Sequence, residues 1–344
     1  MRLVFLIPEL IRTQTWERVT DFFKRHPTLS HLLAFEPHLY TRTAHGGTLN
    51  IMRHAALARS LGVEAVLATP GGKDTYGPYN VVDVPFVRWA DRRDDDVCIV
   101  PDFCTKLIND VRGRAIAYLQ IPTHLYANFD YLSPRIRLWT DSPFMLEKCR
   151  KVFPGKQIDI VPNIVDHEAF PFVPQAERER GLLLAFPRKG PEFIDETERE
   201  YAALGGSYWR FERIDGIPLF ELAQRMRRAQ AFLASADVEG CALPPQESMA
   251  AGIVVVGKTA RGANFSMEHR RTAMVAETPT EAARALVELE DEGLRSHIAE
   301  NAHQFISRYF AGGEPTQFWL ATLRDLGVEA PGRNRRFGVV SSVA

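Results

Sequence analysis

Apolar residues along the chain fall in short continuous runs, each followed by a stretch whose apolar positions recur every three or four residues. Residues 3–7 (LVFLI) form such a run and end at Pro8, as a strand buried on both faces does. Residues 63–68 (VEAVLA), 96–101 (DVCIVP), 116–119 (IAYL) and 158–161 (IDIV) read as further strands. Between the first two, Leu49, Met52, Ala55 and Ala56 mark one face of a helix that ends at Gly62. Ser142-Pro143 opens another helix, through Phe153: serine accepts from a free first-turn amide, and proline at the first helical position loses no useful donor. Residues 12–44 interrupt the alternation with an amphipathic piece at 16–23 and a Pro/His-rich piece at 27–37.

The same rhythm restarts after a linker at 166–180, which holds two prolines and a charge run. Its strands are 181–186 (GLLLAF), 231–234 and 253–256. Thr278-Pro279-Thr280-Glu281 is a capping box opening a helix through Asp291, followed by helices over 294–310 and 317–326 and a basic, loose tail at 331–344. Two blocks of β-α units predict an α/β protein of two parallel-sheet, Rossmann-like domains facing each other across a cleft. The blocks are 1–165 and 166–310, with 311–344 forming a helix that packs back on the first domain and the tail.

Composition narrows the function classes. The 344 residues suit about two domains. Lys plus Arg is 42 against 43 for Asp plus Glu, a formal charge of −1, which disfavours nucleic acid as a partner. The four cysteines (Cys98, Cys104, Cys149, Cys241) show no zinc spacing and read as reduced thiols of a cytoplasmic protein. No run is long enough for a signal core or a spanning helix, so membrane contact, if any, is peripheral through 16–23. No G-x-G-x-x-G follows a strand, which argues against a dinucleotide oxidoreductase. Asp94-Asp95-Asp96 imitates a metal-binding D-x-D, but it follows Arg92-Arg93 and precedes a strand, as a solvated turn would.

The chemistry concentrates in residues 236–257, ADVEGCALPPQESMAAGIVVVG. Glu239 and Glu247 lie eight apart, and a pair at any one spacing is common by chance. Their context is specific: a strand ends, a Gly-containing loop follows, Pro-Pro introduces a helix with Glu247 in its first turn, and Ala-Ala-Gly leads into a buried strand. The segment resembles the E-x7-E signature of retaining GT-B glycosyltransferases of the large family 4, which read like E-G-F-G-L-P-x-x-E-A-M-A-x-G-x-P-V-V. Glu239, Gly240, Leu243, Pro244, Glu247, Met249, Ala250 and Gly252 fall in register. Residues 160–170 (IVPNIVDHEAF) resemble the family's hinge, 183–190 (LLAFPRKG) its strand and R…K-G turn, and 45–62 its Gly-Gly loop and first helix.

That resemblance implies a GT-B fold and transfer of a hexose from a nucleoside diphosphate sugar to an acceptor hydroxyl, with retention and without a metal or other cofactor. It implies a glycan, lipid-linked or small-molecule acceptor. It gives Glu247 to the ribose hydroxyls, Glu239 to the transferred sugar, and Arg188 and Lys189 to the leaving diphosphate, with His124 near the donor sugar. Gly46 and Gly47 let backbone approach the donor or acceptor. The loop amides of Gly240, Cys241, Ala242, Leu243 and Gln246 face the phosphates, because Pro244 and Pro245 have no N–H. Arg261 lies where the next donor-facing loop falls. Two departures stand out. Arg188 and Lys189 are adjacent where the family separates them. Cys241-Ala242 replaces an aromatic-Gly pair, which would strain Ala242 if the position needs positive φ. His124 and the Gly-Gly pair also admit plain structural roles. A nucleotide-sugar epimerase and a non-catalytic nucleotide-sugar-binding protein remain as alternatives.

Overall fold

The computed structural model describes residues 1–11, 13–26, 29, 36–80, 82–126, 129–310 and 313–328. The tail at 331–344 and most of the Pro/His-rich piece lie outside them.

Two all-parallel sheets organise the chain. The first contains β1 (Leu3–Leu6), β4 (Ala65–Thr69), β5 (Phe86–Arg88), β6 (Val97–Pro101), β7 (Arg114–Leu119), β8 (Ile136–Thr140) and β9 (Ile158–Ile160). Its spatial order is β5-β4-β1-β6-β7-β8-β9. The second contains β10 (Leu182–Ala185), β11 (Arg210–Arg213), β12 (Ala231–Ala234), β13 (Val254–Gly257) and β14 (Ala273–Val275), in the order β11-β10-β12-β13-β14. A two-stranded pair, β2 (Glu9–Leu10) with β3 (Tyr40–Thr41), closes the insertion against the first domain.

Period-2 alternation explains why the strands read as unbroken apolar runs. Leu3, Phe5 and Ile7 enter one core, and Val4 and Leu6 enter the core on the opposite face. In the second sheet Leu182 and Leu184 face one way, Leu183 and Ala185 the other. Helix α2 (Gly46–Ser60) covers the first sheet with Ile51, Met52, Ala55 and Ala58. Helix α6 (Leu243–Ala251) is buried nearly all round, its polar Gln246, Glu247 and Ser248 included. Helices α7 (Pro279–Glu288) and α8 (Glu292–Tyr309) follow. The last helix, α9 (Gly313–Asp325), returns to the first domain, where Trp319 and Leu323 join the core beside α2.

Several expectations change in detail. The Gly-Gly pair is the first turn of α2 rather than a loop before it, with His45 as the N-cap residue. The capping box at Thr278 is present, but α7 stops at Glu288, because Asp291 caps α8 by accepting from the Leu294 amide at 2.6 Å. The stretch 166–180 is pinned rather than loose. Buried Arg178 donates to the carbonyls of Val173, Met226, Ala229 and Ala251. Six strands escaped the sequence reading (β2, β3, β5, β8, β11 and β14), as did α4 (Pro191–Ala203) and α5 (Leu219–Arg228). The amphipathic piece is α1 (Gln14–Arg25), whose Trp16 meets Tyr40 edge-on at 5.5 Å while Phe22 stays exposed. No described helix is long and apolar enough to cross a membrane.

Candidate functional site between the two sheets

In an open parallel sheet, ligands bind at the carboxyl ends of the strands where the strand order reverses. In the second sheet that point lies between β10 and β12. The loop after β10 holds Arg188 and Lys189, and the loop after β12 holds Glu239. Lys189 Nζ donates to Glu239 Oε1 at 2.5 Å. Arg188 turns the other way and reaches His45 Nδ1 at 3.3 Å, across the cleft at the start of α2. The two adjacent cations thus diverge: one tethers the motif carboxylate, the other bridges to the first domain.

His45 sits at the uncapped start of α2, between Thr41, Thr43 and Arg188. Part of its ring meets solvent, but crowding by the cleft walls, then the charges of Arg188 and Lys189, push its pKa down to about 4. It is therefore neutral at pH 7 and leaves the positive charge to its neighbours.

The motif loop is held against the first domain by close polar contacts. Ser142, the N-cap of α3 (Pro143–Val152), donates to the Gly240 carbonyl at 2.7 Å. A Cβ on Gly240 would lie 1.8 Å from the Gln120 carbonyl oxygen, so only glycine allows this approach. Gly46 and Gly47 face the same junction: added Cβ atoms would touch Leu243 and the Gln120 side chain at 3.4 and 3.1 Å. Among the described residues the amides of Gly240, Cys241 and Ala242 make no hydrogen bond, and no side chain caps α6.

Ala242 has φ −69° and ψ 129°, ordinary extended backbone, so the feared strain is absent. Cys241 is buried, and its Sγ accepts from Gln246 Nε2 at 3.0 Å. Strain appears instead one strand over. Ala260 and Arg261 adopt φ of 51° and 61° after β13, which costs non-glycine residues roughly 1–2 kcal/mol each. Arg261 is exposed there.

Glu247 is the fifth residue of α6, since the helix starts at Leu243, and so lies beyond the first turn expected for it. It is buried and paired with a residue the sequence did not single out. Arg53 of α2 donates through Nη2 to Glu247 Oε1 at 2.8 Å, and through Nη1 to the Ile164 carbonyl at 2.8 Å. One turn earlier, Asn50 donates to Asn163 Oδ1 at 2.9 Å and accepts from the Ile164 amide. Asn163 passes the chain on to the Cys241 carbonyl and Gln246 Oε1. A buried amide relay thus joins α2, the connection between the domains and the motif helix.

His124 follows β7, with Nδ1 3.3 Å from Asp102 Oδ1. The Asp102 carboxylate raises the imidazole pKa. Asp102 also accepts from the Gln120 and Ile121 amides, at the end of β6 where the first sheet's order reverses. Beside it, burial, then the negative charge of Asp102, pushes the Asp141 carboxyl well above the carboxylate range. Neither aspartate was singled out in the sequence; each follows the last residue of a strand, which is the signal that could have found it. Asp94-Asp95-Asp96 lies at the other end of β6, away from the cleft: Asp96 pairs with Arg2 at 2.7 Å, Asp94 with Arg112, and Asp95 with the N-terminal ammonium. Among the described residues no group of three His, Cys, Asp or Glu side chains is placed to hold a metal ion.

Two parallel-sheet domains with their strand ends facing one cleft define the GT-B fold. Solved structures with this fold include three that resemble the chain. Sucrose-phosphate synthase of Thermosynechococcus elongatus has a TM-score of 0.67 at 12% identity, covering 95% of this chain and 99% of its own. Anabaena HepE in complex with UDP-glucose has 0.56 at 13%, covering 94% and 100%. TarM has 0.52 at 12%, covering 66% of this chain; the match spans only 54% of TarM's length. At these identities the likeness shows the fold. No protein-family model matches the chain, and no curated protein does.

Proposed function

We propose that the chain transfers a hexose from a nucleoside diphosphate sugar to an acceptor hydroxyl, retaining the anomeric configuration and requiring no metal. The observation that carries this reading is the Lys189–Glu239 pair at the reversal point of the second sheet, with Arg188 reaching across to the start of α2. Bond cleavage leaves two negative phosphates. Arg188, Lys189, the free amides of Gly240 to Ala242 and the start of α2 all offer positive potential that a departing diphosphate would feel. This is the role a metal plays elsewhere. In this reading Glu239 accepts from the sugar's hydroxyls and Glu247 from the ribose. His124, oriented by Asp102, presents a ring donor from the first domain. With no enzyme nucleophile assigned, the leaving phosphate oxygen takes the acceptor's proton as the new bond forms on the same face.

Uridine is the first base to try, since HepE is a likeness solved with UDP-glucose. The acceptor is a glycan, a lipid-linked glycan or a small molecule, and the described residues 36–44, which lead to His45 at the cleft, contribute to its reading surface. Four free, buried thiols suit a cytoplasmic setting.

Thermal unfolding with UDP, GDP, dTDP, ADP and CMP in excess chelator tests the site. A nucleotide at a hundred times its dissociation constant stabilises by about 2.7 kcal/mol, a shift of a few degrees for a chain this size. The expected result is that one diphosphate shifts the wild type and not Glu247→Ala. No shift with any of them would sink the donor site. Acceptor-dependent release of the nucleoside diphosphate then separates transfer from an epimerase or a pure binder, which release none.

A further inference from the structure

The Arg53–Glu247 pair is costly to bury. Each side chain is only 5% exposed, and two charges withdrawn this far from water lose in hydration about what they regain from each other. An apolar pair would pack α2 on α6 as well, so stability does not account for it. Its geometry has a different feature. Arg53 takes one oxygen of Glu247, Oε1, while Oε2 makes no hydrogen bond among the described residues. The guanidinium is itself fixed by the Ile164 carbonyl, and the Asn50–Asn163 relay fixes Gln246, the residue next to Glu247, from the same helix.

We propose that Arg53 is a positioning residue for nucleotide recognition: it fixes the Glu247 carboxylate through Oε1 and aims Oε2 at the ribose hydroxyls of the donor. The inference rests on the reading of Glu247 as the ribose ligand and adds the residue that orients it from the opposite domain. A planar fork suits the task, since one guanidinium meets both Glu247 and Ile164, which a lysine ammonium on a flexible stem does not reproduce.

The test compares affinities for UDP, GDP and ADP with those for their 2′-deoxy counterparts, by calorimetry, in wild type, Arg53→Met and Arg53→Lys. A hydrogen bond to a carboxylate makes the wild type prefer the ribonucleotide by about tenfold to a hundredfold. In Arg53→Met that ratio is expected to fall to within about threefold of one, and in Arg53→Lys to an intermediate value. A merely structural arginine would weaken both nucleotides together and leave the ratio unchanged, which overturns the proposal. Should Arg53→Met fail to fold, Arg53→Lys decides it: an undiminished ratio again overturns the proposal. Wild-type binding without preference for the ribonucleotide removes Glu247 from the ribose and the inference with it, leaving the nucleotide site standing. No binding of any nucleotide sinks the donor-site reading itself.

Discussion

Gly240 has no side chain because the first domain leaves no room for one. A Cβ there would sit 1.8 Å from the Gln120 carbonyl oxygen and 2.8 Å from Asp141 Oδ2, and a backbone carbonyl cannot swing aside. Gly240→Ala is therefore expected to push the motif loop off the first domain at a cost of about 1–3 kcal/mol, lowering the melting temperature by a few degrees. An unchanged melting temperature would mean that this contact is open in solution. At this scale the sequence was informative where chemistry is local. The register of Glu239, Gly240 and Glu247 could be read from one 22-residue segment. Arg53 could not, because its partner lies 194 positions away and nothing in NIMRHA distinguishes one arginine among 34. The expected strain at Ala242 was misplaced for a similar reason. Positive φ depends on how the loop lies against its neighbours, and here it falls on Ala260 and Arg261.

Elements were legible when their apolar pattern was continuous and their caps were explicit. The strand 231–234 was read to the residue, and the Ser142 and Thr278 caps form as expected, Ser142 accepting from the Met145 amide at 3.1 Å. Strand β11, RFER, has no apolar run to see: it is the edge strand of the second sheet and three of its four residues are charged. Strand β8, IRLWT, mixes a charge into a buried strand because Arg137 finds Asp159 on β9 and Asp325 on α9. That salt-bridged corner belongs to the docking of α9, whose anchor is Trp319. The indole is wholly buried, packs on Trp139 at 5.7 Å and donates to His54 Nδ1 at 3.0 Å. Trp319→Ala removes about 3–5 kcal/mol of packing and leaves a cavity between α2 and the sheet. Denaturant unfolding should show that loss, and limited proteolysis should release α9 faster than in wild type. Wild-type resistance in both assays would mean that α9 does not hold the first domain together.

Across the whole molecule, four histidines share one direction of response to acid. His54 is buried between α2 and α9, and burial holds its pKa down to about 3 from an ordinary 6.5. It must stay unprotonated at Nδ1 to accept from Trp319. The unfolded chain takes up that proton below about pH 6.5, whereas the native chain refuses it until about pH 3. His54 therefore adds no pH dependence above 6.5, and stability falls as the pH drops below it, by about 1.4 kcal/mol per unit for this one group. Burial lowers His38 and His167 as well, and the cleft lowers His45, so all four act in the same direction. His124 runs the opposite way: Asp102 raises it, so its pairing is retained on the acid side. One group should outweigh the others, because only His54 is sealed from solvent and bonded to the helix that returns from the end of the second domain. His54→Gln keeps an acceptor for the indole but cannot titrate. Its melting temperature should fall less steeply than wild type between pH 6.5 and 4.5, without becoming flat, since the other three histidines remain. Equal slopes would mean that the acid sensitivity resides in groups other than His54, and that α9 stays docked when the protein loosens.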